Sequence, residues 1–270
     1  MMTDDLKSWI GRRETVEDVA SPVPLSGLAA LLDHETPPWS EGEVPPLGHW
    51  LYFLNRARQS EIDIDGHPKR GGFLPPIALP RRMWAGSRIE FLAPIRIGAA
   101  IRRRSTIAAV EPRTGASGEM TFVTVHHEID SDGRVAIREE QDIVFRAAST
   151  GEARKAQAAA PMPTQEWSRS LTPDATQLFR FSALTFNAHR IHYDRDYTRD
   201  IEGYPGLVVQ GPYTAMLLMD LALRHGARPR RFAFRARAPH FEGRVLNLCA
   251  AGGRLWSTDE SGQVGMTAEI

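Results

Sequence analysis

Two periodicities divide the chain. From Ile101 to Val110 the positions alternate, with Ile101, Arg103, Ser105 and Ile107 on one side and Arg102, Arg104 and Thr106 on the other, as in a strand with two unlike faces. Pro112 to Gly118 reads as a hairpin turn and Met120 to Ile129 as a second strand. Asp130-Ser131-Asp132-Gly133 follows as a tight turn and Val135 to Phe145 as a third strand. Long neighbouring antiparallel strands of this kind need something to cover one face. The helical stripe Leu25, Leu28, Leu31 and Leu32, or the run His49 to Leu54, is the candidate cover.

Helical spacing returns in the second half. Thr172-Pro173-Asp174 is a helix start, with a hydroxyl cap, a proline whose missing donor is harmless there and an acid near the positive end. That helix is predicted to run to Thr185, with Leu178, Phe181 and Ser182 along one side, and to deliver Asn187 and His192 just beyond its end. A second helix begins at Gly211-Pro212 and stops at Gly226. It is apolar nearly all round except for Thr214 and Asp220, as expected when a sheet wraps around a helix. Phe232 to Ile270 supplies further strands, with Asp259-Glu260-Ser261-Gly262 as a hairpin turn.

An internal echo bears on architecture. Ala93-Pro94 leads through Gly98 into Ala99-Ala100-Ile101, and Ala238-Pro239 leads through Gly243 into Arg244-Val245-Leu246. In both places a strand-like segment reaches Ala-Pro, turns through a Gly five residues after the Ala and resumes as a strand. The echo is short and allows two copies of one α+β unit, each a curved antiparallel sheet around a central helix, or a chance repeat. Ala147 to Thr164, rich in Ala with Pro161 and Pro163, is the linker between residues 1–150 and 151–270.

Composition removes several function classes. Lys plus Arg number 33 and Asp plus Glu number 33 in 270 residues, so no net field attracts nucleic acid. Cys249 is the single cysteine, which excludes an internal disulfide and suits a buried thiol. No stretch reaches the roughly 20 apolar residues that span a bilayer, and Met1 to Gly11 lacks the apolar core of a secretory signal. The expectation is a cytoplasmic protein without a membrane partner. There is no Gly-x-Ser-x-Gly elbow, and Gly71-Gly72-Phe73-Leu74-Pro75-Pro76 has no Lys-Ser or Lys-Thr to make a nucleotide loop.

The chemistry concentrates in Phe186-Asn187-Ala188-His189-Arg190-Ile191-His192-Tyr193-Asp194 and in Gly206 to Pro212. His192 can exchange a proton near neutrality, or can be a hydrogen-bonded structural histidine. Asn187 can hold a water or hydroxyl, or can cap the preceding helix through a left-handed backbone. Gly211 lets an oxygen approach the free N–H groups of a helix start, or is an ordinary glycine-proline opening. His189, His192, Asp194 and Asp196 have metal-ligand chemistry but no recognised ligand spacing, and Arg190 and Arg195 lie among them. Arg228, Arg230, Arg231, Arg235 and Arg237 could clamp phosphates of a nucleotide-bearing carrier or serve as solvated surface.

The chain resembles the MaoC-like hydratases and dehydratases of the hot-dog superfamily, in particular the double-hot-dog group. The likeness rests on Trp9-Ile10-Gly11-Arg12, His49-Trp50, Asp65-Gly66-His67-Pro68 through Pro80 to Gly86, and Ser182 through Gly211-Pro212. The family pattern for hydration of an enoyl-thioester is an Asp followed at the fifth position by His. Here that frame falls on Asn187 and His192, with His189-Arg190 in place of Asn-Pro.

The resemblance implies a double hot-dog fold, with a noncatalytic first unit and the active site in the second. It implies reversible addition of water to a 2-enoyl-thioester by His192, Asn187 and Gly211, without metal or other cofactor. The substrate side falls to Arg190, Tyr193, Phe186, Val209 and Arg235, with Arg81 and Arg82 as further cations for a dicarboxylyl group. The acyl group is expected to be short or branched, of the mesaconyl-C4-CoA type, with CoA or acyl carrier protein as the thiol, and the chain to form a homodimer. Alternatives are a 3-hydroxyacyl-carrier dehydratase of fatty-acid synthesis, a hot-dog thioesterase and a noncatalytic acyl-CoA-binding protein.

Overall fold

The computed structural model describes residues 6–115, 118–147 and 162–270, so most of the linker read at Ala147 to Thr164 lies outside the described residues. The first half comprises β1 (Arg13–Val19), α1 (Pro22–Leu31), β2 (Arg81–Phe91), β3 (Ala100–Gly115), β4 (Gly118–Ser131) and β5 (Arg134–Arg146). The second comprises β6 (Trp167–Leu171), α2 (Ala175–Thr185), α3 (Gly211–Arg224), β7 (Arg231–Ala236), β8 (Leu246–Ala251), β9 (Arg254–Thr258) and β10 (Val264–Glu269). All ten strands form one sheet in the order β1-β3-β4-β5-β2-β7-β10-β9-β8-β6. Counted within its own half, each set of five has the order first, third, fourth, fifth, second. The echoed Ala-Pro-to-Gly segment occupies the same place in both, between second and third strands, with Gly98 and Gly243 at φ 91° and 70°.

The result is a hot-dog-like α+β fold whose sheet wraps around helices. Tyr213 to Leu223 of α3 is buried at every position, which accounts for its nearly all-round apolar sequence. Asp220, the charged exception, is held by His34, Arg169 and Arg224 at 2.6, 3.1 and 2.8 Å, so its desolvation is offset by charged partners. Leu25, Leu28 and Leu31 of α1 join the same core. No helix among the described residues is long and apolar enough to cross a membrane.

Three local expectations change. The turn read at Pro112 to Gly118 shrinks, because β3 continues through Pro112, opposite Thr121, to Gly115. β1 ends its pairing with β3 at Thr106, so farther along one side of β3 is free of a ladder and a residue without an N–H is tolerated. The turn at Asp130 to Gly133 contracts to Asp132 and Gly133, both left-handed at φ 50° and 78°, the geometry that matches the twist of a hairpin. At the start of α2 the cap is Asp174 and not Thr172. Its side chain accepts from Gln177 N at 2.8 Å while Gln177 Oε1 accepts from Asp174 N at 3.1 Å, a reciprocal pair a lone hydroxyl cannot make.

The halves meet where β2 pairs with β7, from Gly86 opposite Arg235 to Glu90 opposite Arg231. A Cβ at Gly86 would lie 2.4 Å from the Phe234 carbonyl oxygen, so the two central strands approach this closely only without a side chain. Gly86→Ala is expected to destabilise the chain by about 1–3 kcal/mol. Gly206→Ala, which meets open space, should stay within about 0.5 kcal/mol. Urea unfolding midpoints of the two variants check this, and equal midpoints would show that the junction tolerates a methyl group.

Candidate active site

The end of α2 is unusual in its backbone. Phe186 takes the left-handed conformation at φ 47°, the role the sequence suggested for Asn187, and a residue with a Cβ is strained there. Asn187 instead donates its N–H to Ser182 O at 2.8 Å and accepts from His189 N through its own Oδ1 at 3.0 Å. The amide therefore folds the chain into a short turn that presents His189 and then His192.

His192 is 7% exposed, and its Nδ1 lies 2.7 Å from Val208 O. A carbonyl only accepts, so Nδ1 carries the proton and Nε2 of the neutral ring is left with its lone pair. Burial pushes the His192 imidazole down to about 4, against the pull of the Val208 carbonyl, which keeps the ring neutral at pH 7. Val208 N donates to Ile191 O at 2.9 Å, and Val209 N to His240 O at 2.9 Å. This stitched segment runs directly into Gln210 and the first residue of α3, Gly211. A Cβ built on Gly211 meets nothing within 4 Å, so space lies beside a helix start whose first N–H groups have no intrahelical acceptor.

The remaining sequence candidates are placed differently. Arg190 donates to Asp194 at 2.7 Å and to Ile64 O at 3.2 Å and lies over the Tyr197 ring. Tyr193 and Phe186 are 49% and 62% exposed. Val209 is buried. Arg235 is exposed on the face of β7 opposite the buried Phe232 and Phe234, beside Asp142. His192, Val209 and the Gly211 helix start are thus brought together by one segment, and Arg235 is not brought to it. Arg81 is paired with Glu202 at 2.9 Å.

Residues from the first half complete the site. The loop Asp63-Ile64-Asp65-Gly66-His67 docks against the turn after α2: Arg190 N donates to Asp65 O at 2.9 Å. Gly66 is at φ 88°, and a Cβ there would fall 1.8 Å from Ala188 O. Only glycine allows that approach. Asp65 accepts from His67 N at 2.8 Å and from His67 Nδ1 at 3.0 Å. The His67 ring lies 4.0 Å from that of His189, which lies 5.4 Å from that of His192. Burial lowers His67 below the usual imidazole range, and lowers His189 to about 2 with help from the two neighbouring rings.

Asp65, His67 and His189 each bring one ligating atom to within 4.8 Å of the others. Both Asp65 oxygens are already engaged by His67, and Arg82 and Arg70 raise the positive potential there. That field opposes a dication and leaves a cluster suited to holding and moving protons.

His67 also lines a cavity of about 820 Å³ on the inner face of the first five strands. Its wall combines apolar side chains such as Val125, Ile143 and Phe145 with a row of polar ones, where a sheet core is ordinarily apolar throughout. Ser105 Oγ lies 2.8 Å from His127 Nδ1, and His127 Nε2 3.0 Å from Gln141 Oε1. Glu139 accepts from Ser87 at 2.8 Å and from Trp50 at 3.2 Å and lies 3.1 Å from His49 Nε2. Burial alone would raise its carboxyl, but His49 and Ser87 hold it down to about 2. Arg103 faces the same space with its Nε unpartnered, and Arg82 lines it with no hydrogen bond or ion pair among the described residues. The alternation Ile101, Arg103, Ser105, Ile107 already carried this signal, as a polar break within an otherwise apolar face. Nothing in the sequence showed that Glu139 and His127 would join them.

Comparison with known proteins places the molecule. A model of the family described as hydroxyacyl-thioester dehydratase type 2 matches residues 46–242, and the chain belongs to that family. It is 47% identical over 252 residues to mesaconyl-C(4)-CoA hydratase of Chloroflexus aurantiacus, covering 93% of this chain and 90% of the relative. It is 26% identical over 275 residues to the mitochondrial hydroxyacyl-thioester dehydratase type 2 of Schizosaccharomyces pombe, covering 89% and 91%. Among solved structures, HtdX of Mycobacterium tuberculosis superposes with a TM-score of 0.67 over 96% of this chain and 98% of its own, at 18% identity. Membership of this family carries hydratase or dehydratase activity of the hydro-lyase type on an acyl-thioester.

Two outcomes follow from this geometry. Gly66→Ala should lower kcat by about ten-fold or more, because the methyl group must displace the loop that carries His67; steady-state kinetics with unchanged circular dichroism checks it. His192 and His240 are held by burial to about 4 against 6.5 when unfolded. Between those values the unfolded chain binds more protons, so stability is full above pH 6.5 and falls as pH drops toward 4. The melting temperature should be lower at pH 5 than at pH 7.5, and equal values would show that the rings are not sequestered.

Proposed function

We propose that the chain hydrates a 2-enoyl-thioester reversibly to a 3-hydroxyacyl-thioester whose acyl group is short or branched and bears a free carboxylate, as in mesaconyl-C4-CoA. The observation that carries the substrate class is the half-buried Arg82 guanidinium, without a hydrogen-bond or ion-pair partner among the described residues, on the cavity wall beside the histidine cluster. A fatty chain there would strip water from the Arg82 guanidinium and the unpartnered Arg103 Nε without supplying a hydrogen-bond acceptor, which is unfavourable. A carboxylate supplies what the guanidinium lacks. The Chloroflexus relative, whose name states a dicarboxylyl thioester, supports the same reading.

In this reading His192 Nε2 takes a proton from a water that Asn187 Nδ2, free of the turn, helps to hold. The oxygen adds at C3, and the electron pair moves onto the thioester oxygen at the start of α3. The imidazolium then returns its proton to C2. Hydrogen bonds at the helix start raise the rate because they strengthen as negative charge develops on that oxygen. The repeated strand order supports two hot-dog units, residues 1–150 and 151–270, with the acyl group housed in the first and the His192 frame carried by the second. The thiol is CoA in this reading, with acyl carrier protein as the alternative carrier.

Hydration assays on mesaconyl-C4-CoA, crotonyl-CoA and a long-chain enoyl-CoA test the proposal. Wild type should prefer the dicarboxylyl substrate, and His192→Ala should lower kcat by about 10²-fold or more on any substrate turned over. Arg82→Gln should lower kcat/KM for mesaconyl-C4-CoA by about 10²-fold, the loss of a charged hydrogen-bonded contact, and leave crotonyl-CoA within about three-fold. A preference for the long chain would overturn the substrate class. Release of free thiol without hydrated product would mark a thioesterase instead.

A further inference from the structure

We infer that His67, held by Asp65, is a second acid/base group of the reaction, delivered to the site by the first half of the chain. The inference rests on the hydration reading above and adds a catalytic residue to it. The frame that in related hydratases pairs a carboxylate with the histidine has an amide here, and Asn187 cannot take up a proton. Its Oδ1 is also committed to His189 N. Asp65 is a carboxylate in contact with the cluster that the amide vacates. Burial alone would raise it, but the hydrogen bonds from His67 hold Asp65 below the usual carboxylate range.

Because an ionised carboxylate only accepts, His67 Nδ1 carries the proton and Nε2 keeps its lone pair, the same tautomer that the Val208 carbonyl imposes on His192. Among the three histidines in ring contact, His67 is the one that lines the cavity. Two acceptors of different kinds, a carboxylate and a carbonyl, therefore fix the same tautomer in His67 and His192, with the His189 ring in contact with both. The Gly66 approach to Ala188 O leaves the loop little freedom to turn elsewhere.

The step balances without a co-reactant. Water donates an O–H to each Nε2. One proton passes fully to an imidazole as the oxygen bonds to C3, and the C2=C3 pair moves onto the thioester oxygen. That imidazolium then gives its proton to C2 as the carbonyl re-forms, so one water has been added and both rings are neutral again. His67 does for the water what a carboxylate does elsewhere, and Asp65 is its positioning residue.

The test is steady-state hydration of mesaconyl-C4-CoA and crotonyl-CoA by full-length His67→Ala, His67→Gln and Asp65→Asn, with thermal melts alongside. His67→Ala is expected to lose about 10²-fold or more in kcat with KM within about three-fold. Free imidazole should restore about ten-fold of that loss, a recovery that lost packing would not show. Asp65→Asn should lose about ten-fold in kcat. If His67→Ala fails to fold, His67→Gln, which keeps bulk and a donor, decides on kcat alone. Either His67 variant keeping kcat within about three-fold of wild type overturns the inference. So does a loss that imidazole does not restore while Asp65→Asn matches wild type. Wild type inert on every enoyl-thioester would remove the hydration reading itself, whereas activity that survives at His67 variants removes only this role.

Discussion

The pairing of β2 with β7 makes one sheet of ten strands, and the site follows from it. Hydrogen bonds between two central strands set the inner face of the first half beside the helices of the second. The loop from Asp63 to His67 then comes to rest on the turn after α2. Each contact tolerates only glycine at its closest point, Gly86 against Phe234 O and Gly66 against Ala188 O. Backbone approaching backbone at this distance is rigid, since neither side can move as a flexible side chain would.

Local rules are broken together in one region. Phe186 sits in a left-handed conformation, a polar row crosses the inner face of β3, β4 and β5, and Arg82 and Arg103 face a cavity without full pairing. Each lowers stability, an unpaired buried polar group by about 1–3 kcal/mol. Around α3 apolar side chains close most of the core, while Asp220, Gln210 and Tyr213 bring polar atoms into it.

The electrostatics of the site depend on burial as much as on partners. Desolvation is the largest influence on His67, His189 and His192, and it holds all three below the free imidazole range. Neutral rings can pack tilted and edge to edge at 4.0 and 5.4 Å where charged ones would repel. The tautomers of His67 and His192 are then set by what their Nδ1 atoms meet, Asp65 and Val208 O. A site built this way keeps bases ready at neutral pH without a net charge that water would have to screen.

Much of the fold was legible along the chain. The wrapped helix from Gly211, the leucine stripe of α1, the strand meander and the repeated Ala-Pro-to-Gly turn all depend on local spacing, because a helix or strand that is buried must show it in its own residues. So did the His192 frame and the helix start, since both lie within one short segment. What the chain order could not reveal was anything made by residues far apart. Thr172 read as the cap and Asp174 as an acid near the positive end, and only Gln177 folding back put Asp174 in the capping place. His67 and His192 are separated by more than a hundred positions, and His127 and Glu139 lie on different strands. Which side a strand turns to the cavity, which arginine is left without a partner, and which half supplies a carboxylate are settled by register and docking. Those are properties of the assembled sheet, and a linear pattern holds no record of them.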